Sequence, residues 1–248
     1  MFQGAGYANV NLIAPSVSYA YNALPYMSEL ATVPGAVAAL KTVAYHRYNP
    51  GDYVAIGAYA KANGLQTAMS EWTSGTVDTI FDDLTLANVS SWQKWAIAGK
   101  GTATTLQAAY VTADFSNPAS PTFYLAPQSP AMALFFKYVR LGAVRVEAKS
   151  ATLRTVAFVN TNGSQVVVSQ RTGSGTAPVT FTGLKAGTYG VRTVANPTAP
   201  GVDLADVTVG STGSVTVTLP AGYSTLYGKE VPANPAAMTL VEYRHGAW

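Results

Sequence analysis

The chain has 248 residues, 48% of them apolar and only 11% charged, so it can form one large domain or two small ones around a sizeable core. The 15 Lys and Arg are scattered and the formal net charge is only +3, which argues against nucleic-acid binding, because that normally needs a dense basic patch. Cysteine is absent, only two histidines occur, and no apolar run reaches the roughly 18 residues of a membrane-spanning helix. We therefore expect no cofactor, no metal centre and no membrane partner.

The chain begins with stretches that alternate between strand and helix patterns. NVNLIAPS is predicted as a strand, and TVPGAVAALK as a helix with Thr32 as its cap and Pro34 near its first position. TVAYH is a short apolar strand, and YNPG is a turn. DYVAIGAYAKANG then has the pattern of a helix that is capped by Asp52 and ends before Gly64.

The same alternation continues to about residue 140. LQTAMS is predicted as a strand, TVDTIFDDLTLAN as a helix, SSWQKWAIAG as a strand and SPAMALFFKYVR as a helix. Strands and helices that alternate at this spacing are typical of right-handed βαβ units around a parallel sheet. We predict such an array over residues 1–140.

The sequence changes character after residue 140. Segments from AVRVEAKS to YSTLYGKEV alternate at period two and are rich in Val and Thr, and Asn162-Gly163 is a strong hairpin signal. No helix pattern interrupts this part of the chain, so residues 141–231 are predicted to form an antiparallel β-sandwich. Residues 232–248 contain prolines without a clear period and are predicted as a C-terminal tail.

Several of these segments together carry a family likeness. VAYHRYN, LQTAMSEW, SSWQKWAIAG and FFKYVRLGAVRVEA, followed by TVAFVNTNGSQVVV, resemble glycoside hydrolase family 30 in their order and spacing. Enzymes of that family combine a (β/α)8 barrel with a β-sandwich side domain. The resemblance covers most of residues 8–230 and implies a partial barrel, roughly strands five to eight, joined to the sandwich.

The resemblance also implies a set of site residues. In the family, the glutamate that ends strand seven is the catalytic nucleophile, and this role carries over to Glu71, while His46 and Tyr48 at the end of strand six line the sugar site. Trp72, Trp92 and Trp95 are candidates to offer a flat apolar face to a sugar ring, and Tyr19 and Tyr21 are weaker candidates. The alternative for Glu71 is an exposed strand-end residue without a chemical role.

The second carboxyl group is the main departure from the family pattern. Retaining glycosidases need two carboxyl groups roughly 5–5.5 Å apart. The family's acid/base glutamate lies on strand four, usually after asparagine, and this chain has no Asn-Glu dipeptide. Five other acids are candidates, and none is a convincing replacement, since each is better explained as a helix cap, as a first-turn acid or as part of an irregular stretch: Asp52, Asp78, Asp82, Asp83 and Asp114.

These features predict a retaining β-glycosidase in which Glu71 is the nucleophile. The alternative is a non-catalytic, truncated glycosidase remnant that acts as a carbohydrate-binding or packing module. A partial barrel leaves an open sheet edge, which predicts a homo-oligomer or a cover formed by the N-terminal segment and the tail. The chain shows no charged and then apolar signal sequence, whereas the low charge and the family resemblance suggest an extracellular or periplasmic protein.

Overall fold

The computed structural model describes residues 10–101 and 108–229, which fall into two compact units that divide between Ala126 and Pro127. The predicted tail, residues 232–248, lies outside the described residues. The predicted domain boundary after residue 140 stays a prediction, and each unit is described separately below.

The first unit contains a four-stranded parallel sheet. Its strands in spatial order are β1 (Leu12–Val17), β2 (Leu40–His46), β3 (Gln66–Glu71) and β4 (Ser91–Trp92). The centre of β2 is fully buried, which fits a parallel strand covered on both faces. The predicted parallel array is therefore confirmed for these four strands.

Helices connect these strands, and two of them begin after a capping residue, of which Asp52 was predicted and Thr76 was not. The helix α2 (Tyr53–Ala62) starts after Asp52, whose carboxylate accepts a hydrogen bond from the Ala55 amide at 2.8 Å. The helix α3 (Val77–Asp82) starts after Thr76 and continues as a π-helical turn over Asp83–Ala87. Both caps satisfy backbone N–H groups that a helix leaves unpaired at its start.

The helix predicted for TVPGAVAALK is wrong. The helix of this region, α1 (Ala23–Ala31), lies earlier in the chain, and only a short 3-10 turn forms at Val37–Ala39. Proline disfavours helical backbone in the residue before it, and Gly35 adopts φ +79°, so the chain turns here before it enters β2.

The segment SSWQKWAIAG forms two short strands instead of the single predicted one. After β4 the chain continues into β5 (Ala96–Lys100), which pairs with β6 (Ala109–Asp114) and, through it, with β7 (Thr122–Leu125). Asp114 is therefore the last residue of a strand, not part of an irregular stretch as predicted.

In the second unit, the described residues 127–229 form one helix and six strands. The helix α4 (Ser129–Phe136) is followed by β8 (Val144–Val146), β9 (Leu153–Val159), β10 (Gln165–Thr182), β11 (Gly187–Val194), β12 (Val202–Val209) and β13 (Ser214–Gly228). All neighbouring strands are antiparallel, in the order β12-β11-β13-β10-β9-β8. The predicted all-β character is confirmed for residues 141–229, which follow α4.

The two longest strands, β10 and β13, carry an irregularity at their middle. Their register shifts between Arg171 and Thr176, and Gly222 opposite adopts φ +110°. Leu219 and Leu226, on either side of Gly222, nevertheless share one buried cluster. Because the six strands form one hydrogen-bonded sheet, the division into a two-sheet sandwich stays a prediction.

The predicted hairpin at Asn162-Gly163 is confirmed. It joins β9 to β10, and the Asn162 side chain accepts a hydrogen bond from the Ser164 amide at 3.0 Å. Only Gly163 of the pair adopts a positive φ, at +82°.

Candidate active site

Three polar side chains meet where the first three parallel strands end. Ser16 lies near the end of β1, His46 ends β2, and Glu71 ends β3 in register with His46. The carboxyl ends of parallel strands lie at one edge of a sheet, which is where α/β proteins carry their reactive groups.

The Glu71 carboxylate is held on one oxygen. Its Oε1 accepts a hydrogen bond from the Tyr48 hydroxyl at 2.8 Å and lies 3.6 Å from His46 Nδ1. The Glu71 side chain keeps 26% of its surface exposed, whereas His46 keeps 12%. The carboxylate is thus oriented by its neighbours and still accessible.

His46 and Tyr48 are held in defined protonation states. Burial lowers the pKa of His46, an effect that the nearby Glu71 charge opposes, so the imidazole is neutral at pH 7. Burial, together with the hydrogen bond and the charge of Glu71, raises the pKa of Tyr48 to about 12. Tyr48 therefore remains a hydrogen-bond donor to Glu71 throughout the physiological pH range.

Aromatic rings lie beside this carboxylate. The Tyr48 and Trp72 rings meet edge to face, with centroids 5.4 Å apart. Gly75 gives the Trp92 ring its space, because a Cβ at that position would lie 2.4 Å from Trp92 Cη2 and 3.3 Å from Trp72 Cδ1. A larger residue than glycine at position 75 would displace the indole.

The remaining predicted aromatic residues have different surroundings. Trp92 donates its indole N–H to Asp83 at 2.8 Å and is partly buried, whereas Trp95 is 58% exposed. Trp92 is therefore the less accessible of the two residues. Tyr19 and Tyr21 stack on each other with centroids 5.6 Å apart, and both are exposed.

A second carboxylate near the same strand ends, that of Asp83, binds several side chains, and the sequence did not reveal this role. Asp83 is fully buried and accepts hydrogen bonds from Tyr45 at 2.5 Å and from Arg47 at 2.7 Å, in addition to the one from Trp92. Burial raises the pKa of Asp83, while the Arg47 charge and the hydrogen bonds from Tyr45, Trp92 and Arg47 oppose that shift. Asp83 thus ties the ends of β2 and β4 to the π-helical turn.

The structure also accounts for the other acids that were considered as the second carboxyl group. Asp82 lies 3.7 Å from Arg47, Asp52 caps α2, and Asp114 accepts a hydrogen bond from the Ser116 amide at 2.9 Å. Asp78 lies in the first turn of α3. The described residues therefore offer Glu71 no evident second carboxylate.

A buried lysine was also missed. Lys94 is 7% exposed, its amine lies 3.5 Å from the Gly75 carbonyl oxygen, and it sits 5.6 Å from the centre of the Tyr110 ring. Burial lowers the pKa of Lys94 to about 8. The only sequence signal was its position between two tryptophans, which gives no information on burial.

Two absences apply to the described part of the chain only. Residues 10–101 and 108–229 contain no cluster of three or more His, Cys, Asp or Glu that could hold a metal ion. None of the helices within these ranges has the length and apolar character needed to cross a membrane.

Comparison with solved structures identifies the class of fold. The catalytic domain of the family 30 xylanase C from Talaromyces cellulolyticus matches with a TM-score of 0.69 and 18% identity, over 91% of this chain and 53% of that one. A family 30 endoxylanase from Clostridium papyrosolvens C71 matches with a TM-score of 0.66 and 19% identity, over 90% and 57%. The endo-β1,6-glucanase BT3312 matches with a TM-score of 0.58 and 17% identity, over 91% and 50%.

The chain therefore has a partial glycoside hydrolase family 30-like fold. It spans about half the length of the solved structures that it matches. No protein-family model matches the sequence, and no curated protein gives a significant match. The resemblance expected from the sequence is thus confirmed at the level of the fold.

Proposed function

We propose that the chain is a retaining β-glycosidase whose nucleophile is Glu71. The observation that carries this proposal is the Glu71 carboxylate itself, which lies at the end of a parallel strand, is 26% exposed, accepts a hydrogen bond from Tyr48 and lies 3.6 Å from His46 Nδ1. A fold shared with xylanases and a β1,6-glucanase supports a β-linked xylosyl or glucosyl substrate.

The chemistry proceeds through a covalent glycosyl-enzyme. A Glu71 oxygen attacks the anomeric carbon while the bond to the departing oxygen breaks, and water then cleaves the glycosyl ester with overall retention. The Tyr48 hydroxyl holds the attacking group by its hydrogen bond, and the Trp72 ring offers an apolar face for the sugar. The departing oxygen needs a proton, and the described residues provide no evident carboxylic acid beside Glu71 to supply it.

The proposal predicts a marked preference for activated substrates. Nitrophenolates leave without a proton, so a general acid contributes little to their departure. We expect turnover of 2,4-dinitrophenyl β-xyloside or β-glucoside and much slower hydrolysis of the corresponding disaccharides.

The direct test replaces the carboxylate by an amide of nearly the same shape. Glu71→Gln should lower kcat on the dinitrophenyl glycosides by at least about 10³-fold, because loss of a covalent nucleophile removes the main reaction path. Glu29→Gln is the matched control, since Glu29 is exposed on α1 and its change should leave the rate unaltered. Equal rates for the two variants would reject Glu71 as the nucleophile.

The alternative is a non-catalytic carbohydrate-binding or packing module. This alternative is supported by the surroundings of the other acids, since the described residues place no evident second carboxylate beside Glu71 and a sugar-binding surface needs no catalytic pair. It predicts no turnover of either dinitrophenyl glycoside by folded protein, together with weak binding of xylo-oligosaccharides in titration calorimetry.

Self-association through the sheet edge remains a proposal. Among the described residues, β1 pairs only with β2, and Ile13 on β1 is 42% exposed. A free strand edge pairs readily with a further strand. Light scattering coupled to size-exclusion chromatography should show a dimer or larger assembly, and a monomer at every concentration would contradict this proposal.

A further inference from the structure

We propose that Ser16, His46 and Glu71 form a nucleophile–base–acid triad that cleaves carboxylic esters at the same strand ends. This activity goes beyond glycoside hydrolysis and uses Glu71 in a different role, as the group that orients a histidine. The substrate class is an ester whose carbonyl carbon can reach the Ser16 hydroxyl.

The first support is the placement of Ser16 and Glu71 beside the two different nitrogens of the His46 ring. Ser16 Oγ lies 3.2 Å from His46 Nε2, and Glu71 Oε1 lies 3.6 Å from His46 Nδ1 on the other side of the ring. A serine hydrolase uses groups in this order, with one nitrogen taking the hydroxyl proton and the other facing a carboxylate, which here lies 3.6 Å away, just beyond hydrogen-bond distance. The three residues come from three neighbouring parallel strands, which fixes their separation.

The second support is the backbone of Ser16. It adopts φ +53°, a left-handed conformation that residues other than glycine rarely take, and the register of β1 against β2 shifts between Pro15 and Val17. Residues held in such conformations cluster at functional sites. A strained turn at the end of a strand also presents the nucleophile in hydrolases of unrelated architecture. Ser16 is exposed, so an ester can approach its hydroxyl.

The third support is the state of the base. His46 Nδ1 is buried and has no hydrogen-bond partner among the described residues, with the Glu71 oxygen as its neighbouring acceptor. Burial lowers the pKa of His46, and Glu71 opposes that shift, so at pH 7 the ring is neutral and able to accept a proton. Tyr48 binds the same Glu71 oxygen and thereby fixes its position.

The reaction balances within these groups. Ser16 Oγ bonds to the carbonyl carbon while its proton passes to His46 Nε2, and the tetrahedral intermediate then expels the alcohol, which takes that proton. Water attacks the acyl-serine in the same way, with His46 again accepting and returning one proton. The products are a carboxylic acid and an alcohol, and no oxidant or metal is needed.

A competing hydrogen bond lies nearby. Ser16 Oγ is also 3.2 Å from Ser70 Oγ, which donates to the Tyr45 carbonyl oxygen at 3.2 Å. If Ser16 serves only this network, it is an ordinary surface hydroxyl and will not react as a nucleophile. Its reactivity therefore separates the two roles.

The test uses the full chain and a biotin-linked fluorophosphonate, which phosphonylates activated serines. Peptide mass spectrometry should place the adduct on Ser16, and Ser16→Ala should remove it. His46→Gln should slow labelling at least 100-fold, since it removes the base. Ser18→Ala is the matched control because Ser18 is an exposed serine two residues away, and its labelling rate should equal that of the unaltered chain.

The variants that lose labelling should also lose hydrolysis of p-nitrophenyl acetate, measured in the same preparations. Circular dichroism melting curves establish that each variant is folded, and denatured chain provides the background rate. Absence of an adduct on Ser16 in folded protein, or equal labelling of Ser16→Ala and Ser18→Ala, would overturn the inference. Parallel dinitrophenyl glycoside assays keep the proposals distinct, since labelling without glycoside turnover supports only the triad, and turnover without labelling supports only the glycosidase.

Discussion

Two carboxylates lie at the same end of the parallel sheet and differ in almost every physical respect. Asp83 is fully buried and receives three side-chain hydrogen bonds, whereas Glu71 is 26% exposed and receives one. Tyr45 and Arg47 contact Asp83, and His46 between them faces Glu71, because successive residues of a strand point to opposite faces. A carboxylate with a full set of donors fixes structure, and one that keeps free lone pairs is available for chemistry.

The largest expected effect in this comparison is on stability. Asp83→Ala should lower the free energy of unfolding by about 3–5 kcal/mol, because it removes the buried carboxylate that pairs with Arg47 at 2.7 Å and leaves the guanidinium only the more exposed Asp82 at 3.7 Å. Asp82→Ala should cost less than about 1 kcal/mol, since that side chain is 38% exposed and lies 3.7 Å from Arg47. Urea unfolding of both variants makes the measurement, and equal losses would contradict a special role for Asp83.

The next effect concerns the group that orients Glu71. Tyr48→Phe removes a hydroxyl that donates to a charged acceptor, a bond of roughly 1.5–3 kcal/mol, so kcat on dinitrophenyl glycosides should fall about 10- to 100-fold. KM and the melting temperature should change little, since the phenyl ring is retained. Tyr59→Phe, on α2, provides a control for the loss of a tyrosine hydroxyl. An unchanged kcat in Tyr48→Phe would show that Glu71 needs no orientation.

The smallest effect is a gain in stability from removing a buried charge. Lys94→Met should raise the free energy of unfolding by about 1–2 kcal/mol at pH 7, because the amine is buried without a carboxylate partner among the described residues. Lys61→Met is the control, because Lys61 is exposed on α2, and it should leave the free energy of unfolding nearly unchanged.

The pH dependence of that gain follows from the pKa of Lys94. Its value is lowered from 10.5 to about 8 on folding, so the unfolded chain binds more protons between these limits and stability rises with pH there. Below pH 8 both states are protonated and the destabilisation is complete. The advantage of Lys94→Met should therefore be largest below pH 8 and shrink towards pH 10.5, and a constant advantage would contradict this origin.

Local signals explain how much of the fold could be predicted. Asp52 directly precedes α2 and Gly64 follows its end within two residues, so both bounds of that helix could be predicted from local sequence. The segment after α1 was misassigned because its alanines favour a helix, while Pro34 and Gly35 interrupt it. The π-helical turn at Asp83–Ala87 has no comparable sequence signal.

The site residues also include some that the sequence could predict and some that it could not. Glu71, His46 and Tyr48 could be placed together because the family resemblance assigns all three to one site at the ends of recognisable strands, and the structure brings their side chains together. The hydrogen bonds of Asp83 depend on side chains far apart in the chain, which no local pattern encodes. Ser16 was missed because its left-handed backbone and its contact with His46 arise only when β1 pairs with β2.

We propose that Glu71 forms a covalent bond to a sugar, and trapping that bond tests the proposal most directly. Incubation with 2,4-dinitrophenyl 2-deoxy-2-fluoro-β-xyloside or its glucosyl counterpart should trap that bond, because fluorine slows both steps while the activated leaving group favours the first. Peptide mass spectrometry should then find the fluorosugar on Glu71, and Glu71→Gln should abolish the adduct. An adduct on a different carboxylate, or continued glycoside turnover with Glu71 unmodified and replaceable, would contradict the account.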